Sequence, residues 1–157
     1  MGKYTFICNT SNTNSTNMSS SQRTIQFPSI MENITLAERL VDEVCAEFHV
    51  KEDYYGELLI AMTEAVYNAI VHGNKLDTSK QVKVTFDIED KNIVFRIEDE
   101  GSGFDYNNLP DPTAPENIEK PHGRGVFLMR NLSDKCEFDD NGRICTMHFE
   151  VLEHQTA

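Results

Sequence analysis

Apolar residues recur along this chain with two different periods, and with neither at its start. Ile34, Leu36, Ala37, Leu40, Val41, Val44 and Cys45 fall at offsets of three and four. That spacing predicts a helix from about Asn33 to Phe48, with Asn33 or Ser29 as its cap. The same period returns at Tyr55, Leu58, Leu59, Met62, Ala65, Val66, Ala69 and Ile70, predicting a second helix over 52–71 with one broad apolar face. At about 100° per residue, Glu57, Glu64, Asn68 and Val71 share the opposite side. His72-Gly73-Asn74 then ends this helix, with Gly73 placed for a left-handed cap.

Elsewhere the period is two. Thr24 to Phe27 alternate and stop at Pro28; Val82 to Ile88 and Ile93 to Glu98 form a hairpin across residues 89–92. Residues 105–122 carry Pro110, Pro112, Pro115 and Pro121, too broken for regular structure beyond a turn near Glu116. A loop of that length inside a small domain is usually functional or mobile. Gly123-Arg124-Gly125 follows and opens a third helix to about Leu132. Strands at 135–138 and 144–151 make a second hairpin across 139–142. This order predicts an α+β fold, a two-layer sandwich with the helices on one face of a mixed, mostly antiparallel sheet. Before it stands NTSNTNSTNMSSS at 9–21, too polar to bury surface of its own. The organisation expected is a flexible arm over 1–21, one domain over 22–152 and a tail over 153–157.

Composition narrows the function classes. The 157 residues carry a formal net charge of −12, which argues against a nucleic-acid partner needing a basic face. It leaves nucleotides open, because helix N-termini and a bound cation act locally. No run approaches the ~20 apolar residues of a membrane span. The start is a poor signal peptide, and Phe6 breaks the myristoylation pattern. Cys8, Cys45, Cys136 and Cys145 show no close spacing of the zinc or redox kind, so reduced, buried thiols in the cytoplasm are expected. His72, His122 and His148 complete no metal pattern. Walker A, GxSxG and strand-borne GxGxxG sequences are missing, which sets aside P-loop, hydrolase-elbow and Rossmann readings.

Three weaker signals remain. Glu64 and Asn68 are one turn apart on one helix face. An Asn oxygen is a hard ligand suited to Mg²⁺, and a Glu beside it can accept a proton from a hydroxyl. The same pair also suits a solvated polar face, and periodicity does not separate a solvent face from the wall of a cleft. Asp99, at a strand end before Gly101 and Gly103, is either a carboxylate for an adenine amino group or part of an ordinary turn. Gly123 and Gly125 at a helix start offer bare N–H groups to a phosphate, or act as a hinge.

The three occur in a telling order: E-A-V-Y-N-A-I-V-H-G-N from Glu64, D-E-G-S-G-F-D from Asp99, and H-G-R-G-V-F-L-M-R from His122. Together they resemble the histidine-kinase-like ATPases (the GHKL group, with the Bergerat fold) over about 22–152. With D-P-T-A-P-E-N before the glycine turn, they are most similar to the anti-sigma factor serine kinases of bacterial partner switching. The resemblance implies an ATP-dependent protein serine/threonine kinase that uses ATP and Mg²⁺. Its substrate would be an anti-sigma-factor antagonist, a sigma factor would be a second partner, and the chain would form a homodimer. It implies Asn68 as the Mg²⁺ ligand and Glu64 as the residue that orients or deprotonates the acceptor hydroxyl. Asp99 would bond the adenine, Gly101 and Gly103 would shape its pocket, and 105–122 would be the ATP lid. Gly123 and Gly125 would close that lid on the phosphates. Arg124 is similar to a residue of the subgroup, without a derived role. Thr146 matches a threonine near the adenine on a late strand, although Ile144 occupies a region where the family often has glycine. Two rival readings stand beside this one: a nucleotide-dependent module that sequesters partners without chemistry, and the catalytic domain of a sensor histidine kinase. Against the latter, no phosphoacceptor-histidine segment is recognisable ahead of residue 22.

Overall fold

In the computed structural model, which describes residues 21–118 and 123–152, the alternating segments become five strands. They are β1 (Arg23–Pro28), β2 (Gln81–Glu89), β3 (Asn92–Glu98), β4 (Lys135–Asp139) and β5 (Ile144–Glu150). They form one sheet in the order β1-β2-β3-β5-β4, and each of its neighbouring pairs is antiparallel. Period-two patterning sends Val82, Val84, Phe86, Ile93, Phe95, Ile97, Met147 and Phe149 to one face, where all are buried. Phe86, Phe95 and Phe149 run across three strands with ring centroids 5.8 and 6.3 Å apart. The other face carries Lys83, Thr85, Arg96 and Glu98, with Lys83 paired to Glu98 at 3.5 Å.

Helices α1 (Ile34–Glu47), α2 (Glu52–Tyr67) and α3 (Arg124–Leu132) cover the apolar face. Ala37, Leu40, Val41 and Val44 of α1, Leu58, Met62 and Val66 of α2, and Val126 and Met129 of α3 join the strand residues in one core. None of the helices among the described residues is long and apolar enough to cross a membrane. The expected arm, apart from Ser21, lies outside the described residues, as do Cys8, His122, the tail over 153–157 and the last part of the lid, 119–122.

Two terminal details differ from expectation. Neither Asn33 nor Ser29 caps α1 through its side chain. The Asn33 amide donates back to the Pro28 carbonyl at 2.9 Å, and the Ser29 hydroxyl donates to that of Lys80 at 2.9 Å. The end of α2 differs more. At Asn68 the helix widens into a π turn spanning Asn68–Gly73, closed by Asn74 N–H donating to Ala69 C=O at 2.8 Å. Such wide turns often mark functional positions. Gly73 is not the left-handed residue; Lys75 and Leu76 take φ of 52° and 59°. Asn74 then ties the turn to the sheet. Fully buried, it donates to Ser29 Oγ (2.7 Å) and Gln81 C=O (2.9 Å) and accepts from the Glu100 N–H (2.7 Å). That network holds the π turn beside the exit of β3, where the site forms.

Candidate functional site

A cavity of about 230 Å³ opens between the π turn, the end of β3, the start of α3 and the β4–β5 turn. A water takes up about 30 Å³ of liquid, so the space suits an organic ligand. Asn68, Asp99, Gly103, Gly123 and Gly125 all line it. Residues separated by more than fifty positions are thus brought around one space.

On one side, backbone packs directly against backbone. A Cβ on Gly73 would overlap the Asp99 carboxyl, and one on Gly101 would overlap the Gly73 carbonyl oxygen. Glycine is needed at both positions for close approach. The result fixes Asp99: its N–H donates to Arg143 C=O at 3.0 Å, and its Oδ1 accepts from the Gly101 N–H at 2.8 Å. Burial pushes its carboxyl above the ordinary value, opposed by the Gly101 N–H and by the charges of Arg143 and Lys80. Asp99 thus lines the cavity half-buried, with one carboxylate oxygen already engaged.

The second side is made where α3 crosses α2. Gly123 adopts φ +87° ahead of α3. Where a Cβ of Gly125 would stand, Glu64 Oε2 and Asn68 Nδ2 each lie 3.0 Å away and Asn68 Oδ1 3.2 Å. The missing side chain lets the first turn of α3, with its unpaired N–H groups, sit against the carboxylate and the amide. Glu64 itself is partly exposed and does not line the cavity. Among the described residues no group of three or more His, Cys, Asp or Glu could hold a metal unaided. One Asn oxygen next to the bare N–H groups of a helix start suits Mg²⁺ nonetheless, because Mg²⁺ takes few protein ligands and keeps waters and phosphate oxygens.

The described part of the 105–122 loop leaves from an aromatic clasp. Tyr106 stacks on Phe138 with centroids 5.2 Å apart, and Phe104 meets Phe138 edge-on at 5.5 Å. Arg130 donates to the Tyr106 carbonyl at 3.1 Å and lies 5.7 Å over the Phe138 ring. The expected turn near Glu116 is a short 3₁₀ turn, Pro115–Asn117.

Four expected site residues do not line the cavity: Glu64, Gly101, Arg124 and Thr146. Thr146 lies between Cys145 and Met147, which face inward, so strand alternation turns it to the outer face beside Arg96 and Glu137. Arg124 is exposed and donates to the Ile118 carbonyl at 3.1 Å, fastening the loop to α3 instead of entering the cavity. Gly101 sits behind Asp99 as packing. Conversely, His72, Gly142, Arg143 and Cys145 line the cavity without having been expected there. Asn141-Gly142 in the hairpin turn was the available signal: Gly142 takes φ +88° and lies close against the Phe104 ring.

Comparison with known proteins bears on the family. The family model described as histidine kinase-like ATPase domain matches residues 27–149. The chain is similar to an anti-sigma F factor of Bacillus licheniformis, 29% identical over 126 residues, spanning 78% of this chain and 85% of the relative. An anti-sigma F factor of Shouchella clausii is 30% identical over 112 residues, 69% of this chain and 75% of its own. A serine-protein kinase RsbW of Bacillus cereus is 25% identical over 138 residues, 83% and 86% of the two chains.

Proposed function

We infer, because the chain belongs to the histidine kinase-like ATPase family, that it is an anti-sigma regulatory factor acting as an Mg²⁺-ATP-dependent protein serine/threonine kinase. Its substrate is an antagonist protein, a sigma factor is its second partner, and it acts in the cytoplasm as a homodimer. The names of the relatives, anti-sigma F factor and serine-protein kinase, support both halves of this reading.

The observation that carries it is the seat of Gly125 against Glu64 and Asn68, next to a cavity walled by Asp99. Phosphoryl transfer needs positioning and charge neutralisation more than covalent chemistry. Asp99 accepts from the adenine amino group, and Gly73 and Gly101 hold its carboxylate in place. The N–H groups at the start of α3 face the phosphates, where Gly123 and Gly125 leave the backbone bare. Asn68 supplies an oxygen to Mg²⁺, which when bound neutralises and aligns the phosphate oxygens. Glu64, partly exposed and next to Asn68 at Gly125, accepts the proton of the incoming serine or threonine hydroxyl. The loop that leaves at Asp105 covers the nucleotide, its described part fastened to α3 by Arg124 at Ile118.

Glu64→Ala tests the reading: it should bind ATP normally and transfer no γ-phosphate to a purified antagonist. Transfer at the wild-type rate would remove Glu64 from the chemistry. A wild-type chain that binds ATP and antagonist yet labels nothing would favour the non-catalytic sequestering module.

A further inference from the structure

Cys136 and Cys145 are nine positions apart in sequence, and the second hairpin brings them together. Register sets Cys136 opposite Met147 and Phe138 opposite Cys145, so the cysteines are diagonal neighbours on the inner face of β4 and β5. Both are free thiols. Cys145 is buried, lines the cavity and lies 3.9 Å from Met129 Sδ. Cys136 is partly exposed.

The two thiols differ in kind. A hydrogen bond from Cys145 holds the Cys136 thiol below its ordinary value, opposed by burial and helped by the charge of Arg130. Cys145 is pushed well up by that same bond and by burial. Cys136 is thus the more accessible sulfur and the one held lower, and Cys145 the buried partner beside it. Cys45, on α1, stands apart from this hairpin; burial and the nearby Asp42 push it up to about 11.

We propose that Cys136 and Cys145 form an oxidation site for hydroperoxides, closing to a disulfide in the wall of the cavity. The Cys136 thiolate attacks one peroxide oxygen, the O–O bond breaks, and sulfur, oxidised by two electrons, becomes a sulfenic acid as hydroxide leaves. The Cys145 sulfur then attacks the Cys136 sulfur. The S–O bond breaks, the Cys145 proton goes to the departing hydroxide, and a disulfide and water result. The sum is two thiols and one hydrogen peroxide giving one disulfide and two waters. Diagonal neighbours stand roughly 7–8 Å apart at Cα, against about 4.4–6.8 Å for a relaxed disulfide. Closure therefore draws β4 along β5 and moves the wall that Cys145 and Phe138 give the cavity. A bond made under such strain is readily reduced, which makes the site reversible. That the moved wall weakens nucleotide binding rests on the function proposed above; the disulfide does not.

The test treats the full reduced chain with hydrogen peroxide, blocks remaining thiols and digests with trypsin. The expected product joins peptide 136–143 to peptide 144–157 by a bond that dithiothreitol removes. Oxidation should also weaken ATP binding by about fivefold or more, reversibly in wild type and not at all in Cys136→Ser. No linked peptide overturns the proposal, and an equal loss in Cys136→Ser overturns the coupling to the cavity. A linked peptide with unchanged ATP affinity overturns the coupling to the cavity. A reduced wild-type chain that binds no ATP refutes the proposed function instead, and the linked peptide still decides the site.

Discussion

The two sides of the cavity are built by opposite means. Around Asp99 the chain is packed backbone on backbone, Gly73 against the carboxyl and Gly101 against the Gly73 carbonyl, so nothing there has room to move. Across the cavity, Gly125 faces the ends of two flexible side chains, Glu64 and Asn68, and the adjoining loop is fastened by single exposed hydrogen bonds such as Arg124 to Ile118. The contrast fits a division of labour. A base is recognised best by a group that cannot shift, whereas phosphate must be enclosed, transferred and released, which requires parts that move. Interiors packed at crystal density tolerate no added atom, but side-chain ends can give way.

Substitutions break this comparison in order of size. Replacing Glu64 by Gln should lower transfer by about 10²–10⁴-fold with ATP affinity unchanged by calorimetry, because the carboxylate belongs to the mobile side alone. Gly101→Ala, on the rigid side, should cost up to about 3 kcal/mol in denaturant unfolding, since its new methyl meets backbone. The matched change Gly125→Ala should cost under about 1 kcal/mol, the neighbours being side-chain ends that rotate away, while transfer falls severalfold. Equal unfolding costs for the two glycines would erase the distinction. Smallest is Arg124→Ala, within about 0.5 kcal/mol of wild type in stability; its effect should be confined to faster nucleotide release in stopped flow.

Acid sharpens the same contrast. Burial raises the Asp99 carboxyl above 3.8, so between 3.8 and its folded value the folded chain holds a proton that the unfolded chain has lost. Stability from this group is therefore greatest below 3.8 and declines as pH rises through the folded value. Nucleotide affinity should move the other way and rise, because only the ionised carboxylate accepts both the Gly101 N–H and the adenine amino group. Parallel pH profiles for stability and affinity would contradict the role given to Asp99.

The two periods in the sequence were enough to read the layers, the three helices and the strands, because each face is set by local geometry. They also separated Glu64 and Asn68 from the apolar stripe, although only contact with Gly125 shows that this face meets α3. What escaped depended on pairing through space. Gly73 read as a cap because glycine after a helix usually is one; its need comes from Asp99, twenty-six positions later. Thr146 was expected from the resemblance alone, and strand alternation between Cys145 and Met147 turns it to the outer face. The π turn left no signature beyond the polar Asn68 at its start. Cys136 and Cys145 became a pair only through the hairpin register.

The central claim is that Asp99 anchors the nucleotide on the rigid side of the cavity. Titrating ATP into folded Asp99→Asn by calorimetry tests it most directly. Loss of a hydrogen bond to a charged group is worth about 1.5–3 kcal/mol, so affinity should fall by about 10–150-fold. Wild-type affinity in a variant that melts like wild type would show that the base lies elsewhere.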